Sequence, residues 1–472
     1  MRTVRVVIAV SMLVLLLNSG TNSLSKSAAA KKPNIIFIQA DDLGYGDLSC
    51  YGQQKFQTPN LDRMAAEGVR FTQYYSGNTV CAPSRASLMT GYHSGRAYIR
   101  GNGDHPLRPE DVTVGEVLKQ AGYKTAVIGK WGLGTAATTG RPDQQGFDES
   151  FGFLDHTHAH RQYTDHLWKN GEAVPVNLEK DYANDLFAAA ATDFIGRNQQ
   201  QPFFLYLAFT VPHAELRVSE DAVKPFRGKF AETPFTNAKA DAVASFPPAR
   251  ERRASIGYRS QAEPYAAFAG MVTRMDQHVG QVLARLKELG LDNDTIVFFT
   301  SDNGPHKEGG ANPEFFDSNG PLRGIKRDMY EGGIRVPMIV RWPGKVKAGK
   351  SSAQVWAHWD FLPTAAAIAG AKPPAGIDGI SMLPALLGKK QRGHEFLYWE
   401  FHERGFEQAV RMGDWKAVRH APTDSIELYN LKEDVGETNN VASRHPEVVK
   451  KMEAHLNSAR TEAALWPIKS KK

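Results

Sequence analysis

Pro33-Asn34-Ile35-Ile36-Phe37-Ile38-Gln39-Ala40-Asp41-Asp42 is the stretch whose reading decides the fold. A short apolar, β-prone run, bounded by a proline and an Asp-Asp pair, reads as a strand buried on both faces. Runs of the same kind recur at 124–128, 203–209, 295–300 and 336–340, and helical patterns fall at 60–67, 114–121, 264–289 and 360–369. Buried strands alternating with helices predict an α/β fold: a large, mostly parallel sheet sandwiched by helices. In such folds chemistry gathers beyond the carboxyl ends of the strands. Asp41-Asp42 and Ser301-Asp302-Asn303 each follow their strand directly, although they lie far apart in the chain.

From about residue 391 the pattern changes to short alternating runs at 396–401, 408–412, 415–418 and 426–429, joined by turns such as Gly413-Asp414. With a helical pattern over 447–462, these predict a smaller C-terminal α+β subdomain with an antiparallel sheet. The expected division is 1–30 leader, 31–390 catalytic domain and 391–472 C-terminal subdomain. Residues 225–253, rich in Lys, Ala, Pro and Phe, read as a long surface insertion lining a cleft.

The leader is recognisable from Arg2 and Arg5, an apolar run over 6–17 broken only by Ser11, and Ala28-Ala29-Ala30. That is the pattern of a cleaved signal peptide, and the run is shorter than the roughly 20 residues a bilayer span needs. The expectation is a secreted or periplasmic protein without stable membrane association; an uncleaved anchor is the alternative. Cleavage after Ala30 removes three cations and no acid, taking the formal charge from +6 to +3. Such a surface suits an anionic substrate without requiring one. No basic arm or helix points to nucleic acid. Cys50 and Cys81 are the only cysteines, so one bridge is possible, but disulfides do not hold a chain of 472 residues together.

Asp41, Asp42, Asp302 and Asn303 offer hard oxygen ligands at two strand ends. Brought into one cleft, their carboxylates would repel unless a cation joined them, and all-oxygen ligation suits Ca²⁺ or Mg²⁺ rather than zinc. Either pair alone reads more readily as turn chemistry. Cys81-Ala82-Pro83-Ser84-Arg85, followed by Ala86-Ser87-Leu88-Met89-Thr90-Gly91, predicts a short helix with Cys81 at its positive end. Three residues separate Cys81 from Arg85, where a cysteine phosphatase loop has five. The run Gly129-Lys130-Trp131-Gly132-Leu133-Gly134 lacks the spacing of a phosphate-binding P-loop.

The Cys81 motif resembles the core motif of the type I sulfatases, formylglycine-dependent, arylsulfatase-like enzymes of the alkaline phosphatase superfamily. The similarity extends to 34–52, 129–134, Pro212-His213, 301–304 and 324–337, almost the whole mature chain. It implies an alkaline-phosphatase-like fold and oxidation of Cys81 to formylglycine by a maturation enzyme. A metal, Ca²⁺ before Mg²⁺, would be held by Asp41, Asp42, Asp302 and Asn303. Hydrated formylglycine is a diol: one hydroxyl attacks sulfur, and the other expels sulfate by restoring the aldehyde. Asp302 is then the acceptor for the nucleophile's proton. Arg85 and Lys130 would hold the diol, Lys326 would bind sulfate, and His213 would protonate the leaving alkoxide.

Many members read Gly-Lys-Trp-His-Leu-Gly where this chain has Gly132. His306 and the His156-x-His158-x-His160-Arg161 cluster are candidates to fill that gap, while His158, His160 and Arg161 serve equally as sugar contacts or a polar loop. Similarity around 168–171, 211–216 and 312–320 to bacterial polysaccharide-utilising members implies a sulfated saccharide as substrate. A galactose or N-acetylgalactosamine 4-sulfate is the expected unit. Trp168, Tyr163 and Phe316 are aromatic residues that stack on sugars or pack inside. A phosphate or phosphonate monoesterase of the same superfamily, and a catalytically silent glycan-binding relative, are the alternatives. Nothing in the sequence sets an oligomeric state.

Overall fold

The computed structural model describes residues 31–242 and 256–468; the expected leader and part of the 225–253 insertion lie outside the described residues. In chain order the first strands are β1 (Asn34–Asp41), β2 (Val69–Tyr75), β3 (Lys124–Lys130), β4 (Glu149–Phe153), β5 (His166–Lys169) and β6 (Glu172–Pro175). They continue with β7 (Phe203–Pro212), β8 (Thr295–Ser301), β9 (Arg335–Arg341), β10 (Lys350–Ser352) and β11 (Trp356–Ala357). All eleven join one sheet in the order β10-β2-β9-β8-β1-β7-β3-β4-β5-β6, with β11 also paired to β2.

β1 shows why the sheet needs cover on both sides. Ile36, Ile38 and Ala40 point into one core, and Ile35 and Phe37 into the other, all fully buried. The first core is closed by helices α1 (Pro59–Ala66), α4 (Ala183–Arg197) and α5 (Pro264–Glu288). The second is closed by α2 (Cys81–Thr90), α3 (Val114–Gln120) and α6 (Phe361–Ala369). Strands β8, β1, β7, β3 and β4 run parallel to one another. β9, in sequence indistinguishable from them, is antiparallel to β8 and β2, because an apolar run buried on both faces carries no direction. Cys50 and Cys81 are both free thiols, so the possible bridge is absent. No helix among the described residues is long and apolar enough to cross a membrane.

The C-terminal strands β12 (Leu397–Phe401), β13 (Glu407–Met412), β14 (Trp415–Arg419) and β15 (Glu427–Asn430) form a separate antiparallel sheet. Helix α7 (Pro446–Ser458) covers one face through Met452 and Leu456. The other face, with Leu397, Trp399 and Phe401, packs on Tyr75, Val80, Met329 and Trp359. The described residues from Lys32 onward therefore form one compact unit. Phe226 and Phe230 of the insertion pack on the first core, and Phe316 is buried there too, so it is a packing residue.

A buried charge network ties the two sheets together. Lys416 of β14 donates to Glu331 at 3.0 Å and to Glu437 at 3.3 Å, and the Glu331 N–H donates to Glu437 at 2.6 Å. Burial alone would raise Glu331, but Lys416, Arg335 and Arg411 hold it below the usual carboxylate range, whereas burial pushes Glu437 up. Lys416→Met leaves both carboxyls without their shared cation. The expected loss is about 3–5 kcal/mol in urea unfolding; a loss below about 1 kcal/mol, the scale of a surface pair, would contradict the network's role.

Candidate active site

Four adjacent parallel strands deliver the candidate site at their carboxyl ends. β1 and β8 pair with Ala40 opposite Ser301, so Asp41-Asp42 and Asp302-Asn303 emerge side by side. β7 pairs on the other flank of β1 with Pro212 opposite Asp41, which places His213 next to the acids. β3, beyond β7, ends on Lys130. Asp42 lies in the left-handed region, at φ 64°, and its N–H donates to Asp302 Oδ1 at 3.0 Å.

α2 supplies the remaining groups. Pro83 stands in its first turn and Gly91 closes it at φ 76°, so Cys81 lies at the amide end of a wholly buried helix. Cys81 Sγ is 3.5 Å from Asp41 Oδ1 and 3.9 Å from Asp42 Oδ1. One turn on, Arg85 donates to Asp302 Oδ2 from Nε at 3.0 Å and from a terminal nitrogen at 2.8 Å. Burial raises the Cys81 thiol well above its ordinary value, more than Lys130 and Lys326 lower it. The unmodified side chain is therefore a protonated thiol, a weak nucleophile.

Each carboxylate has a cationic partner. Lys130 donates to Asp41 at 2.7 Å, Lys326 to Asp42 at 2.6 Å and Arg85 to Asp302. Burial disfavours the charge on both lysines, but Asp41 and Asp42 more than offset it and raise their affinity for protons. Asp302 is shifted upward, by burial first and by Asp41 next.

The donor set fits an oxygen-liganded cation. Asn303 Nδ2 donates to Asp42 at 2.6 Å and to the Gly304 carbonyl at 2.9 Å, which leaves its buried Oδ1 without a partner. A bare amide oxygen in a nest of carboxylates is costly unless a cation takes it. The ligand atoms of Asp41, Asp42, Asp302 and Cys81 all lie within 4.8 Å of one another. The oxygen donors among these groups, the three carboxylates together with Asn303 Oδ1, suit Ca²⁺ or Mg²⁺.

His213 stands over the opposite side. Its Nδ1–H donates to the Ala214 carbonyl at 2.6 Å, so Nε2 faces the site, where Lys326 donates to it at 2.9 Å. Burial, then Lys326 and Lys130, hold this imidazole well below its usual value, hence neutral. His160 stacks on it at 4.0 Å and 14°, and His306 on the other side at 5.2 Å and 19°. Both nitrogens of His306 are engaged, Nε2 donating to the Pro212 carbonyl and Nδ1 accepting the Glu308 N–H. Of the other histidine cluster, His158 is buried and bonded to Thr164 at 2.7 Å, and Arg161 pairs with Glu215 at 2.7 Å. The structure thus brings His160, and neither His158 nor Arg161, against His213. His156 is the cluster member beside Gly132: a Cβ placed on Gly132 would lie 3.6 Å from His156 Cβ.

Three residues at the site carried no motif. Glu308 lies 3.5 Å from His213 Nε2 and 3.6 Å from the Lys326 ammonium, and pairs with Arg327 at 2.6 Å. Tyr258 donates to Glu308 at 2.8 Å. Tyr206, inside a strand that reads as plain core, reaches Arg85 at 3.3 Å.

Comparison with known proteins agrees with this geometry. The model of the Sulfatase family matches residues 33–371, and that of the N-sulphoglucosamine sulphohydrolase C-terminal region matches 324–462. The dog N-acetylgalactosamine-6-sulfatase is 34% identical, over 88% of this chain and 77% of its own length. The N-acetylgalactosamine-6-O-sulfatase of Bacteroides thetaiotaomicron is 30% identical, over 92% and 94%. Among solved structures, BT4656 in complex with its substrate D-glucosamine-2-N,6-O-disulfate superposes with a TM-score of 0.73 at 26% identity, covering 91% of this chain and 97% of that one.

A cation bound at the carboxylates stabilises the folded state by mass action. Ca²⁺ at one hundred times its Kd is expected to add about 2.7 kcal/mol, read as a rise in melting temperature that Asp42→Asn abolishes. A melting curve indifferent to Ca²⁺ and Mg²⁺, or an undiminished shift in the variant, would refute the site.

Proposed function

We propose, from the premise that the chain belongs to the sulfatase family and is a sulfuric ester hydrolase, that it removes sulfate from a galactose or N-acetylgalactosamine unit of a carbohydrate. The reaction is R–O–SO₃⁻ plus water giving R–OH, sulfate and a proton. The observation that carries this reading is the single buried cluster of Cys81, three carboxylates, Arg85, Lys130, Lys326 and His213. The names of the dog and Bacteroides relatives support a 6-sulfate, in place of the 4-sulfate expected from sequence. Export through the leader, maturation by a formylglycine-generating enzyme and the division near residue 390 belong to the same proposal.

Asp41, Asp42, Asp302 and Asn303 would hold the cation, Ca²⁺ in preference to Mg²⁺, which supplies Lewis-acid polarisation of the sulfate oxygens. Formylglycine made from Cys81 would supply, as its hydrate, one hydroxyl to attack sulfur and a second to release sulfate; the Cys81 Sγ atom marks where these oxygens stand. Every other role falls to side chains already in place. The three carboxylates and three cations balance one another, so a divalent ion leaves the cluster net positive and receptive to an anionic ester. Arg85 and Lys130 orient residue 81, and Asp302, shifted upward, takes the nucleophile's proton. Lys326 anchors the sulfate beside His213. Burial first, and the lysine charges next, keep His213 neutral; an anion there offsets the lysine charges and favours the protonated imidazole that donates from Nε2 to the departing sugar oxygen.

Assays of nitrophenyl sulfate, nitrophenyl phosphate and N-acetylgalactosamine 6- and 4-sulfates test the reading. Sulfate release, at least about tenfold faster from the 6-sulfate than from the 4-sulfate, and lost in Cys81→Ala, is expected; phosphate release without sulfate release would overturn it. His213→Ala is expected to cost about 10²–10⁴-fold on the sugar sulfate and far less on nitrophenyl sulfate, whose leaving group needs no proton. Equal losses on both would remove the acid role.

A further inference from the structure

The reaction as described leaves one charged group of the site unused. Glu308 lies 3.5 Å from His213 Nε2, the atom proposed to donate to the departing sugar oxygen, and 3.6 Å from the Lys326 ammonium. His213 and Lys326 are buried, with 1% and 3% of their side chains exposed, whereas 22% of Glu308 is open. Its carboxylate thus lies between the buried machinery and the outside. A substrate whose ester oxygen sits on His213 Nε2 brings the atoms next to that oxygen against Glu308.

Glu308 is held from three directions. Its N–H donates to His306 Nδ1 at 3.0 Å, and His306 Nε2 donates in turn to the Pro212 carbonyl, beside His213. Tyr258 donates to Oε2 at 2.8 Å and Arg327 to Oε1 at 2.6 Å. Arg327 is itself fixed: it lies in the left-handed region at φ 75°, its N–H donates to the Thr79 carbonyl at 3.1 Å, and its Nε donates to Glu403 at 3.1 Å. A carboxylate has about four acceptor positions, and hydrogen bonds among the described residues take two of these. Burial alone would raise Glu308, but Lys326, first among its charged neighbours, holds it far below the usual carboxylate range. It is ionised, an acceptor with no proton to donate. Such a group, already in place, accepts from a hydroxyl at little ordering cost and repels an anion put where that hydroxyl stood.

We propose that Glu308 is a specificity-determining residue, which accepts a hydrogen bond from the free hydroxyl nearest the sulfate ester and rejects a sugar sulfated at that hydroxyl as well. In a galactosamine 6-sulfate this is the axial 4-hydroxyl, which stands on the same face of the ring as C6. The inference rests on the 6-sulfate reading above and deepens it from the ester to the neighbouring ring position.

The test compares wild type with Glu308→Gln, which keeps the shape and removes the charge, and with Glu308→Asp, which keeps the charge and shortens the reach. The substrates are N-acetylgalactosamine 6-sulfate, its 4-deoxy analogue, the 4,6-disulfate and nitrophenyl sulfate. Nitrophenyl sulfate gauges what each substitution does to the chemistry common to all the esters. In wild type, removal of the 4-hydroxyl is expected to cost about 10–100-fold in kcat/KM, the scale of a hydrogen bond to a charged group. In both variants the same removal is expected to cost less than about threefold, because the acceptor is gone or out of reach. The 4,6-disulfate is expected to be a poorer wild-type substrate than the 6-sulfate, and that gap to narrow in Glu308→Gln. A 4-hydroxyl worth as much in the variants as in wild type would mean that Glu308 acts only through His213 and Lys326, and would overturn the proposal. So would a wild type indifferent to the 4-hydroxyl, or an undiminished disulfate penalty in Glu308→Gln; each leaves the sulfatase reading intact. A wild type that releases sulfate from nitrophenyl sulfate and from no saccharide 6-sulfate would overturn the 6-sulfate reading, and the role of Glu308 with it.

Discussion

Asp41, Asp42 and Asp302 are buried within a few ångströms of one another, and the rest of the site follows from the need to neutralise them. The constraint is set by the sheet. Parallel β1 and β8 in register put the acids at one level, and no rearrangement of side chains separates them. Carboxylates removed from water keep their charge only with cations at contact distance. Lys130, Lys326 and Arg85 come from three different parts of the chain to supply these, and the bare oxygen of Asn303 leaves a place for one ion more. The cluster that neutralises itself is also the one proposed to receive an anion.

Arg85 shows how far the demand propagates. Its guanidinium donates to Asp302, to the Lys130 carbonyl at 2.8 Å and to the Tyr206 hydroxyl. Tyr206 donates to Gln39 Oε1, and Gln39 Nε2 donates to His358 Nε2 at 3.0 Å. Burial lowers His358 to about 4, so it is neutral and able to accept there while its Nδ1–H donates to the Tyr75 carbonyl at 3.1 Å. The Tyr75 hydroxyl donates to Glu331 at 2.6 Å, and Glu331 meets Lys416 of the C-terminal sheet. A continuous buried polar path thus joins Arg85, one turn on from Cys81, to the second sheet. Half-satisfied, such a network would be worse than an apolar core; complete, it fixes one geometry.

The parts legible in sequence were those where local chemistry and periodicity agree. The run Ile35 to Ile38 announces a strand buried on both faces, and Pro83 and Gly91 bracket α2 at both ends. The strand-end acids could be assigned to one cleft because parallel sheets gather their carboxyl ends. What escaped depended on direction or on tertiary placement. Nothing in 336–340 says that β9 runs antiparallel. Glu308 and Tyr258 meet His213 only through loop paths, and Tyr206 looks like any apolar strand residue until Arg85 reaches it. In the histidine cluster, spacing alone did not distinguish His160, stacked on His213, from His158, which turns to Thr164.

Residue 81 is proposed to act as an oxidised cysteine rather than as the thiol it is translated as. Burial holds that thiol protonated among carboxylates, a poor state for attack. The most direct measurement is the mass of the proteolytic peptide carrying residue 81, in protein whose sulfate release has been assayed. Conversion of the thiol to an aldehyde lowers that mass by about 18 Da, and the converted fraction is expected to rise in proportion to specific activity across preparations. Full activity in protein whose Cys81 peptide retains the unmodified thiol would contradict the claim.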